Sequence, residues 1–362
     1  MRIDELDFEY PENLVAVERA PVSRVMLFQN GEPRELEKGL SDLVQFFDKG
    51  DVLVLNDTRV NPRRVFTEAG LEILFLSDVS AEAASADSEG SEADLRTWSV
   101  LCPASRWKNG ATQMLPGNVK IDIIARGRPQ TVRTSEPLTE EYFEKYGELP
   151  LPPYIQKARD ERHNRSLDKS SYQTAWAEKP GSLAAPTASL HFSNEDLEAL
   201  KAKGVEIVRV TLHVGLGTFL PVTVENLDDH VMHGEWAEIP AATWAAIENA
   251  KARGSHIWGL GTTVTRTLES VPHGKLKANA HGSYFGETDL FIRPGFEFKV
   301  IDRLLTNFHQ PRSTLLSLVS AFVGQGRAQP NEGVAIVKDA YAWAIKNQFR
   351  LFSYGDLSCW IK

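Results

Sequence analysis

Polar side chains follow several apolar runs of this chain and could carry protons or hold a ligand. Asn56, Asp57, Thr58 and Arg59 come directly after an apolar run. Thr306 to His309 end another run, before a helix opened by Ser313 and Thr314. In open α/β sheets, ligands bind beyond the carboxyl ends of the strands. We therefore expect these groups to meet at one site. Histidines and carboxylates there would suit proton transfer near neutral pH.

Two glycine turns repeat the same four letters 44 positions apart, at Gly215-Leu216-Gly217-Thr218 and Gly259-Leu260-Gly261-Thr262. The second turn opens a helix with Thr262 and Thr263, an arrangement in which bare backbone N–H groups can cradle an anion or a nucleotide. A tight turn without a ligand is the alternative. A dinucleotide fingerprint needs a third glycine, and that position is Val264.

The segment DHVMHGE brings His230, His233 and Glu235 together, which suggests a metal site. The chain offers no clear third ligand there and no cysteine nearby, so we expect a polar lining and no metal. The sequence also lacks a Gly-x-Ser-x-Gly elbow, a Walker A loop and a Cys-x-x-Cys pair. This argues against the commonest hydrolase, phosphotransferase and redox chemistries.

Basic residues concentrate in three stretches, with Trp107 and Tyr154 interleaved as surfaces on which a base could stack. Solvated surface is the alternative interpretation, and the pattern alone does not decide between the two. The basic residues are Arg59, Arg63 and Arg64, then Arg106, Lys108, Lys120, Arg126, Arg128 and Arg133, and finally Lys157, Arg159, Arg162 and Arg165.

The elements that must position these residues indicate an α/β fold, with a mostly parallel sheet domain and an inserted small β-barrel domain. Helix-strand units flank the chain's middle, and one helix has Ser193 as N-cap with Asp196 three residues on. From 59 to 150 the pattern changes to short strands separated by turns. We expect an α/β domain over 1–58 and 151–362, a β-barrel over 59–150, and a disordered acidic loop at 77–95.

Length and composition fit two globular domains in a reducing compartment. The chain has 362 residues and a net charge of −9, and the six acids of the acidic stretch account for most of that excess. Two cysteines cannot make a disulfide framework, and neither a signal peptide nor a membrane-spanning run is evident. We expect a cytoplasmic protein with no membrane partner. The overall charge does not exclude nucleic acid, because local patches bind phosphate.

Several ordered phrases resemble one family, the S-adenosylmethionine:tRNA ribosyltransferase-isomerases of queuosine biosynthesis. The phrases run from Asp4 to Asp356 and include DVLVLNDTRV, YQTAWAEKPGSLAAPTASLHF, VTLHVGLGTF, DDHVMHGE and TNFHQPRSTLLSLVSAF. The resemblance implies an α/β domain with an inserted barrel. It also implies transfer and isomerisation of the ribosyl group of S-adenosylmethionine onto the 7-aminomethyl-7-deazaguanine wobble base of tRNA, which yields epoxyqueuosine-tRNA, adenine and methionine.

The resemblance implies roles for individual residues. His309 and His213 are candidates for proton transfer, with Asp57 and Glu235 as carboxylates beside them. His309 ranks first, because the helix N-terminus after it disfavours the imidazolium. The expected S-adenosylmethionine contacts are Gly215, Gly217, Thr218, Gly261, Thr262 and Thr263, with Arg266 or Arg312 on the methionine carboxylate and Arg59, His191 and Asn307 lining the cavity. The expected tRNA contacts are Arg63, Arg64, Arg106, Lys108, Arg128 and Lys157.

The resemblance implies no metal and no cofactor, because S-adenosylmethionine is consumed as a substrate. We expect a monomer that binds the anticodon region of tRNA. Two other functions remain open at this point: a non-catalytic RNA-binding module and a nicotinamide-dependent reductase. The first leaves the polar clusters at several strand ends unexplained, and Val264 disfavours the second. Release of adenine from S-adenosylmethionine would separate the three.

Overall fold

The computed structural model describes residues 1–80, 96–107, 111–215, 217, 224–329 and 331–362. Contacts between residues divide the chain into two compact units. The first comprises Met1–Arg59, Pro152–Arg162 and Ser170–Lys362, and the second Val60–Leu151 and His163–Lys169. The sequence prediction placed His163–Lys169 in the α/β domain. These residues pack with the second unit because Asn164 and His163 hydrogen bond to Glu148.

Strands make up most of both units. The strands are β1 (Val25–Gln29), β2 (Glu32–Leu36), β3 (Val52–Asn56), β4 (Thr58–Val60), β5 (Arg64–Phe66), β6 (Glu72–Asp78), β7 (Thr97–Leu101), β8 (Gln113–Leu115), β9 (Val119–Ala125), β10 (Gln130–Thr134), β11 (Lys179–Ser182), β12 (Glu206–Leu212), β13 (Glu235–Ile239), β14 (Ile257–Leu260), β15 (Lys277–Ala278), β16 (Tyr284–Thr288), β17 (Arg303–Asn307) and β18 (Leu357–Ile361).

The first unit contains a ten-stranded sheet in the order β15-β16-β13-β12-β3-β14-β17-β18-β1-β2. Strands β12, β3, β14 and β17 run parallel to one another, and β18 is parallel to β1. The remaining neighbours are antiparallel. The prediction of a mostly parallel sheet is therefore not confirmed: the sheet is mixed. An unbroken apolar run indicates that a strand is buried on both faces, but it does not indicate whether the strand runs parallel or antiparallel to its neighbours. Strand β18, for example, is buried throughout and is antiparallel to β17.

Side chains of the central strands alternate between two cores. Val52 and Val54 of β3 pack into the core on one face of the sheet, whereas Leu53 and Leu55 pack into the core on the other. Helices cover both faces, which keeps β3 free of water along its whole length. A strand buried in this way is a rigid support for the polar residues that follow it.

The helices begin at the residues that local capping signals indicate. Ser193 and Asp196 form the predicted capping box, and the Ser313 side chain accepts from the Leu316 amide. The short helix Leu40–Leu43 has no side-chain cap and continues as a 3₁₀ turn, Val44–Phe46. The α-helices are Leu40–Leu43, Glu140–Tyr146, Pro153–Arg159, Asp168–Ser171, Asn194–Ala202, Ala241–Ala252, Thr262–Glu269, Thr314–Gly324 and Glu332–Lys346. Within the described ranges, none combines the length and apolar composition that crossing a membrane requires.

The second unit is a six-stranded antiparallel sheet in the order β5-β6-β7-β10-β9-β8. The sheet curls until its two edges nearly meet, and the Glu68 amide donates to the Met114 carbonyl at 2.8 Å. Its interior holds a separate apolar core that includes Phe75, Trp98 and Phe143. The architecture is barrel-like, in line with the expected insertion.

The acidic stretch predicted at 77–95 is only partly covered by the structure. Residues 81–95 lie outside the described residues. Ser77 and Asp78 end strand β6, and buried Ser80 hydrogen bonds to Thr97. The predicted disordered loop therefore started too early, because its first residues still pair with β7.

Candidate active site

The four parallel strands β12, β3, β14 and β17 end at one edge of the sheet, and polar residues follow each of them. Asn56, the last residue of β3, joins three of these segments. Its Nδ2 donates to the Leu212 carbonyl at 3.0 Å and to Thr263 Oγ1 at 3.4 Å, and its Oδ1 accepts from the amides of Leu212 and Thr58. This side chain fixes the strand ends relative to one another.

His213 lies just beyond β12 with three neighbours that fix its imidazole ring. Its Nδ1 is 2.7 Å from Thr58 Oγ1. Its ring stacks on Trp236, with centroids 5.4 Å apart and planes 18° from parallel. A Cβ at Gly181 would stand 2.8 to 2.9 Å from three atoms of the imidazole, so only glycine fits there. We call Thr58, Gly181 and Trp236 the His213 cradle.

Burial favours the neutral form of the His213 imidazole, and the nearby carboxylates leave it able to accept a proton. Burial is the largest influence and lowers the pKa of His213 below its ordinary value. Nearby Lys179 lowers this pKa further, whereas Asp57 and Glu238 raise it. Asp57 is itself buried and accepts from Thr211 Oγ1 at 2.6 Å. The two carboxylates would stabilise an imidazolium formed during a reaction.

His309 is much more enclosed than the sequence suggested. Its ring nitrogen Nε2 is 2.9 Å from Thr306 Oγ1, and its backbone amide donates to the Tyr341 hydroxyl. Burial lowers the pKa of His309 to about 3. The expected neutral form is present, but burial, and not the helix N-terminus, is the cause. Such a weak base suits packing better than proton abstraction at pH 7.

His191 and Asn307 form a buried hydrogen-bonded chain at the end of β17. Asn307 Nδ2 lies 3.0 Å from His191 Nε2, and Asn307 Oδ1 accepts from the Thr187 hydroxyl. On its other side, His191 Nδ1 is 2.7 Å from Ser23 Oγ. Burial, reinforced by the charges of Arg19 and Arg350, lowers the pKa of His191 to about 3. These side chains hold the 3₁₀ turn Thr187–His191 against the sheet edge.

Glu235 and Arg266 pair with each other, so each of these side chains is engaged within the protein. Both are buried, and Arg266 Nη1 donates to Glu235 Oε2. Glu235 Oε1 accepts from the Gly215 amide at 3.0 Å, and Arg266 also donates to the Leu290 carbonyl. The guanidinium is therefore engaged by the protein and is not free for a substrate carboxylate. The pair instead connects the Gly215 turn with the helix Thr262–Glu269.

The two glycine turns are less alike than their letters. Gly259 lies inside β14, whereas Gly215 follows the end of β12 by three residues. Gly261 has φ +99° and precedes the helix that begins at Thr262, and Thr263 contacts Asn56. Gly217 lies beside His233. Thr218 lies outside the described residues.

Arg312 and Arg59 have different surroundings from those expected of a cavity lining. Arg312 lies on the surface, where its Nε is 2.9 Å from an Asp7 carboxylate oxygen. This pair lies on the surface, and the expected role of Arg312 toward the methionine carboxylate stays a prediction. Arg59 is exposed on β4.

Of the six residues predicted to contact tRNA, some are buried and others are exposed. Arg64 is almost fully buried between Glu148, Glu72 and Asn164, so it cannot reach a phosphate. Arg63 packs over Phe143 and pairs with Glu140, with 11% of its side chain exposed. Because both side chains are buried, the prediction that Arg63 and Arg64 contact phosphates is corrected. The exposed candidates are Arg106, Arg128 and Lys157, whereas Lys108 lies outside the described residues.

No metal centre emerges at the paired histidines. In the part of the chain that the structure describes, no three His, Cys, Asp or Glu side chains are grouped so as to hold an ion. His230 instead packs edge-on against Phe291. The expectation of no metal or cofactor stays a prediction.

Sequence reasoning missed the residues that act through long-range contacts. Gly181 and Thr187 lie within the quoted phrase YQTAWAEKPGSLAAPTASLHF, and Trp236 directly follows DDHVMHGE. No individual role was expected for them, because each is far along the chain from the side chain it supports. Thr58 was noticed only as part of a polar group. The one local signal was the phrase KPGS, whose glycine has φ +147° in the structure.

Comparison with known proteins agrees with this architecture. The family model described as queuosine biosynthesis protein matches residues 3–360. A protein of Halothermothrix orenii named S-adenosylmethionine:tRNA ribosyltransferase-isomerase is 40% identical, over 98% of this chain and 98% of its own. One of the same name from Rhodospirillum rubrum is 39% identical, over 99% and 97%.

A solved structure resembles the fold as well. The crystal structure of an S-adenosylmethionine tRNA ribosyltransferase from Thermotoga maritima has a TM-score of 0.52 and 28% sequence identity, and the match covers 99% of this chain and 100% of the other. The sequence match along almost the whole chain and the shared fold lead to one conclusion. The chain belongs to the family of queuosine biosynthesis proteins.

Proposed function

We propose that this protein is an S-adenosylmethionine:tRNA ribosyltransferase-isomerase. It transfers and isomerises the ribosyl moiety of S-adenosylmethionine onto the 7-aminomethyl-7-deazaguanine wobble base of tRNA. The products are epoxyqueuosine-tRNA, adenine and methionine. The full-length match to relatives of that name carries the proposal. The convergence of polar side chains at four strand ends supports it.

The reaction needs a base beside the substrate's sulfonium group. The positive sulfur acidifies the neighbouring ribose C5′–H, so a positioned base can remove that proton. We assign this role to His213, in place of His309. The His213 ring is half-buried and neutral, and two carboxylates lie near enough to favour its protonated form. A base whose pKa is about 3, as for His309, would be a poor acceptor.

Geometry suggests which nitrogen of His213 acts. If Nδ1–H donates to Thr58 Oγ1, Nε2 keeps its lone pair. Gly181 packs against the ring at Nε2, where any side chain would collide. The His213 cradle therefore holds the imidazole ring in one orientation. The absence of a side chain at Gly181 leaves the space next to Nε2 free of protein atoms that would collide with the ring.

The turns that follow the other strand ends at this edge of the sheet are suited to bind the nucleoside part of S-adenosylmethionine. The turn at Gly261 to Thr263 offers backbone N–H groups at the start of a helix, which would hold polar groups of the nucleoside. The buried Glu235–Arg266 pair holds this helix and the Gly215 turn together. We assign both turns to substrate binding through their backbone.

The tRNA contacts belong to exposed basic residues. Arg106 and Arg128 of the second unit and Lys157 of the first have side chains that reach solvent. Lys108 is proposed from the sequence alone. A monomer that acts in the cytoplasm on the anticodon region completes the proposal.

The decisive experiment measures adenine release. The protein is incubated with labelled S-adenosylmethionine and with tRNA that carries the 7-aminomethyl-7-deazaguanine precursor. We expect tRNA-dependent release of adenine and transfer of ribosyl label to the tRNA. Replacement of His213 by Gln should lower turnover about 10² to 10⁴-fold and leave S-adenosylmethionine affinity within a few fold. An RNA-binding module would bind tRNA and release no adenine.

A further inference from the structure

The antiparallel strands β12, β13 and β16 share one open face of the sheet, and His213 lies at its inner side. Thr211 of β12 lies opposite Glu238 of β13, and the His213 amide donates to the Trp236 carbonyl at 3.0 Å. Residues opposite one another in such a pair point to the same face, and so does every second residue along a strand. His213, Trp236 and Glu238 are therefore on one face, in agreement with the stacking of His213 on Trp236.

Strand β16 extends this face on the far side of β13. Phe285 pairs with Glu238 and Glu287 pairs with Trp236, so both side chains of β16 join the same face. Ala237, which alternates with these residues of β13, is buried in the apolar core. The core thus lies behind the sheet, and the face with Trp236 and Phe285 is turned away from it.

Two aromatic side chains are exposed next to each other on this face. Trp236 is 39% exposed and Phe285 is 43% exposed, and no other Phe, Tyr or Trp that the structure describes is as exposed. Exposed apolar side chains that occur singly are ordinary on protein surfaces, whereas adjacent ones mark binding sites. Aromatic side chains of this kind are surfaces on which a nucleobase can stack.

A carboxylate without a partner lies beside the two rings. Glu287 is exposed, and within the described residues its side chain makes no ion pair or hydrogen bond. Its position is next to Gly234, where an added Cβ would stand 3.1 Å from Glu287 Oε2. Glu238 is instead engaged by Lys179, whose Nζ is 2.7 Å from Glu238 Oε2. Glu287 is therefore the carboxylate on this face that is available to a cation. We call Trp236, Phe285 and Glu287 the aromatic shelf.

We propose that the 7-aminomethyl-7-deazaguanine base of tRNA stacks on the aromatic shelf and that Glu287 binds its aminomethyl cation. A planar base with one ammonium group matches two aromatic rings beside one unpaired carboxylate. The place is suitable too, because the aminomethyl nitrogen must reach the ribose from which His213 would remove a proton. This inference rests on the proposed function, which supplies both substrates.

The openness of the face favours tRNA over S-adenosylmethionine as its occupant. Both substrates combine a planar base with a positive charge. A base that stays attached to a polynucleotide needs an open surface, since the neighbouring nucleotides lie around it. Lys277 of β15 lies opposite Phe285 at the outer side of the aromatic shelf, where it would meet a backbone phosphate.

The first test measures binding of two tRNAs to the full chain. One tRNA carries 7-aminomethyl-7-deazaguanine at the wobble position, and the other carries 7-hydroxymethyl-7-deazaguanine, which has a similar shape and no charge. We expect Glu287→Gln to weaken binding of the first tRNA about 5- to 10-fold and of the second less than about twofold. The control Glu32→Gln removes an exposed carboxylate from β2, at the other edge of the same sheet, and should change neither affinity.

The second test concerns the stacking on Phe285. Phe285→Ala should weaken both tRNAs about 10-fold, because the ring stacks on a charged and on an uncharged base alike. Phe285→Tyr keeps an aromatic ring and should bind both tRNAs within about twofold of the unchanged protein. The affinity for S-adenosylmethionine, measured by calorimetry, should be the same in all of these variants.

Other outcomes would overturn the inference. Equal loss of both tRNAs in Glu287→Gln would mean that this carboxylate does not bind the aminomethyl cation. Loss of S-adenosylmethionine affinity in Glu287→Gln or Phe285→Ala would mean that the aromatic shelf holds the adenosyl group. Unchanged tRNA binding in both variants would remove the aromatic shelf from the site. Failure of the unchanged protein to bind tRNA or to release adenine would instead count against the proposed function itself.

Discussion

At the scale of single residues, the environment of each histidine decides what it can do. His213 and His309 both follow strands and both are neutral, yet one sits half-buried among charges and the other is sealed in the core. The sequence indicates both histidines, because their positions after apolar runs are local features. The sequence-based ranking of His309 above His213 took no account of burial, which depends on Trp236 and Tyr341 from other elements.

The contact between Gly181 and His213 yields a prediction about turnover. Gly181→Ala should displace the imidazole, because the new Cβ would stand 2.8 Å from Nε2. A misplaced catalytic group costs about 100-fold in turnover, whereas S-adenosylmethionine affinity should change little. The control is Gly254→Ala, which also has a positive φ but nothing within 4 Å of its Cβ. It should cost about 1 kcal/mol of stability and leave turnover intact. Equal turnover in both variants would argue against a catalytic His213.

At the scale of elements, features formed by residues close together in the sequence are predicted well, whereas pairings between distant strands are not. Ser193 with Asp196 and Ser313 mark helix starts that the structure reproduces. The antiparallel pairing of β18 with β17 was not predicted, because the pairings of β18 with β17 and β1 join distant parts of the chain. The same limitation applies to the Glu235–Arg266 pair, whose members are 31 residues apart on a strand and a helix.

This buried ion pair yields a prediction about two elements at once. Glu235→Leu should destabilise the fold by about 3 to 5 kcal/mol, because Arg266 is left buried without its partner. The double variant Glu235→Leu with Arg266→Met should regain most of that stability. S-adenosylmethionine affinity should stay reduced in the double variant, because the Gly215 amide has still lost its acceptor. Urea unfolding and calorimetry measure the two effects. Recovery of both together would mean that the pair only fills space.

At the scale of the whole molecule, the net charge of −9 conceals a division between buried and exposed cations. Arg64 is committed to Glu148 and Glu72, whereas Arg128 faces solvent. Because local patches meet phosphate, an acidic protein can still bind tRNA through such exposed side chains.

Salt dependence of tRNA binding tests this division. With about four phosphate contacts, the slope of log K against log salt should be near −3. Arg128→Ala should make the slope shallower by roughly one unit and weaken all tRNA sequences alike. Arg64→Ala should mainly lower the melting temperature, since Arg64 is buried within its own unit. A slope that does not differ from zero would contradict tRNA binding through phosphates.

Two buried histidines predict how stability depends on pH. Burial lowers the pKa values of His191 and His309 to about 3, from an ordinary 6.5. Below pH 6.5 the unfolded chain takes up protons at these sites and the folded chain does not. Stability is therefore complete above about pH 7 and falls as the pH drops from 6.5 toward 3, by roughly 1 kcal/mol per pH unit for each histidine.

Urea unfolding between pH 7.5 and 5 measures that slope. His309→Asn should remove about half of the contribution from the two histidines. The control His281→Asn replaces an exposed histidine and should leave the slope as it is. Identical slopes for the unchanged protein and His309→Asn would mean that His309 is not held neutral by burial.

Strand β18 also has a consequence for the order of events during synthesis. It lies between β17 and β1 as the eighth of the ten strands, so β1 and β2 cannot join the rest of the sheet until residues 357–361 have left the ribosome. Strand β1 must wait for a partner 332 positions later in the chain. The second unit, in contrast, has its own core and is made mostly within residues 60–151. The nascent chain can thus fold its insert first and complete this part of the sheet only after residues 357–361 have emerged.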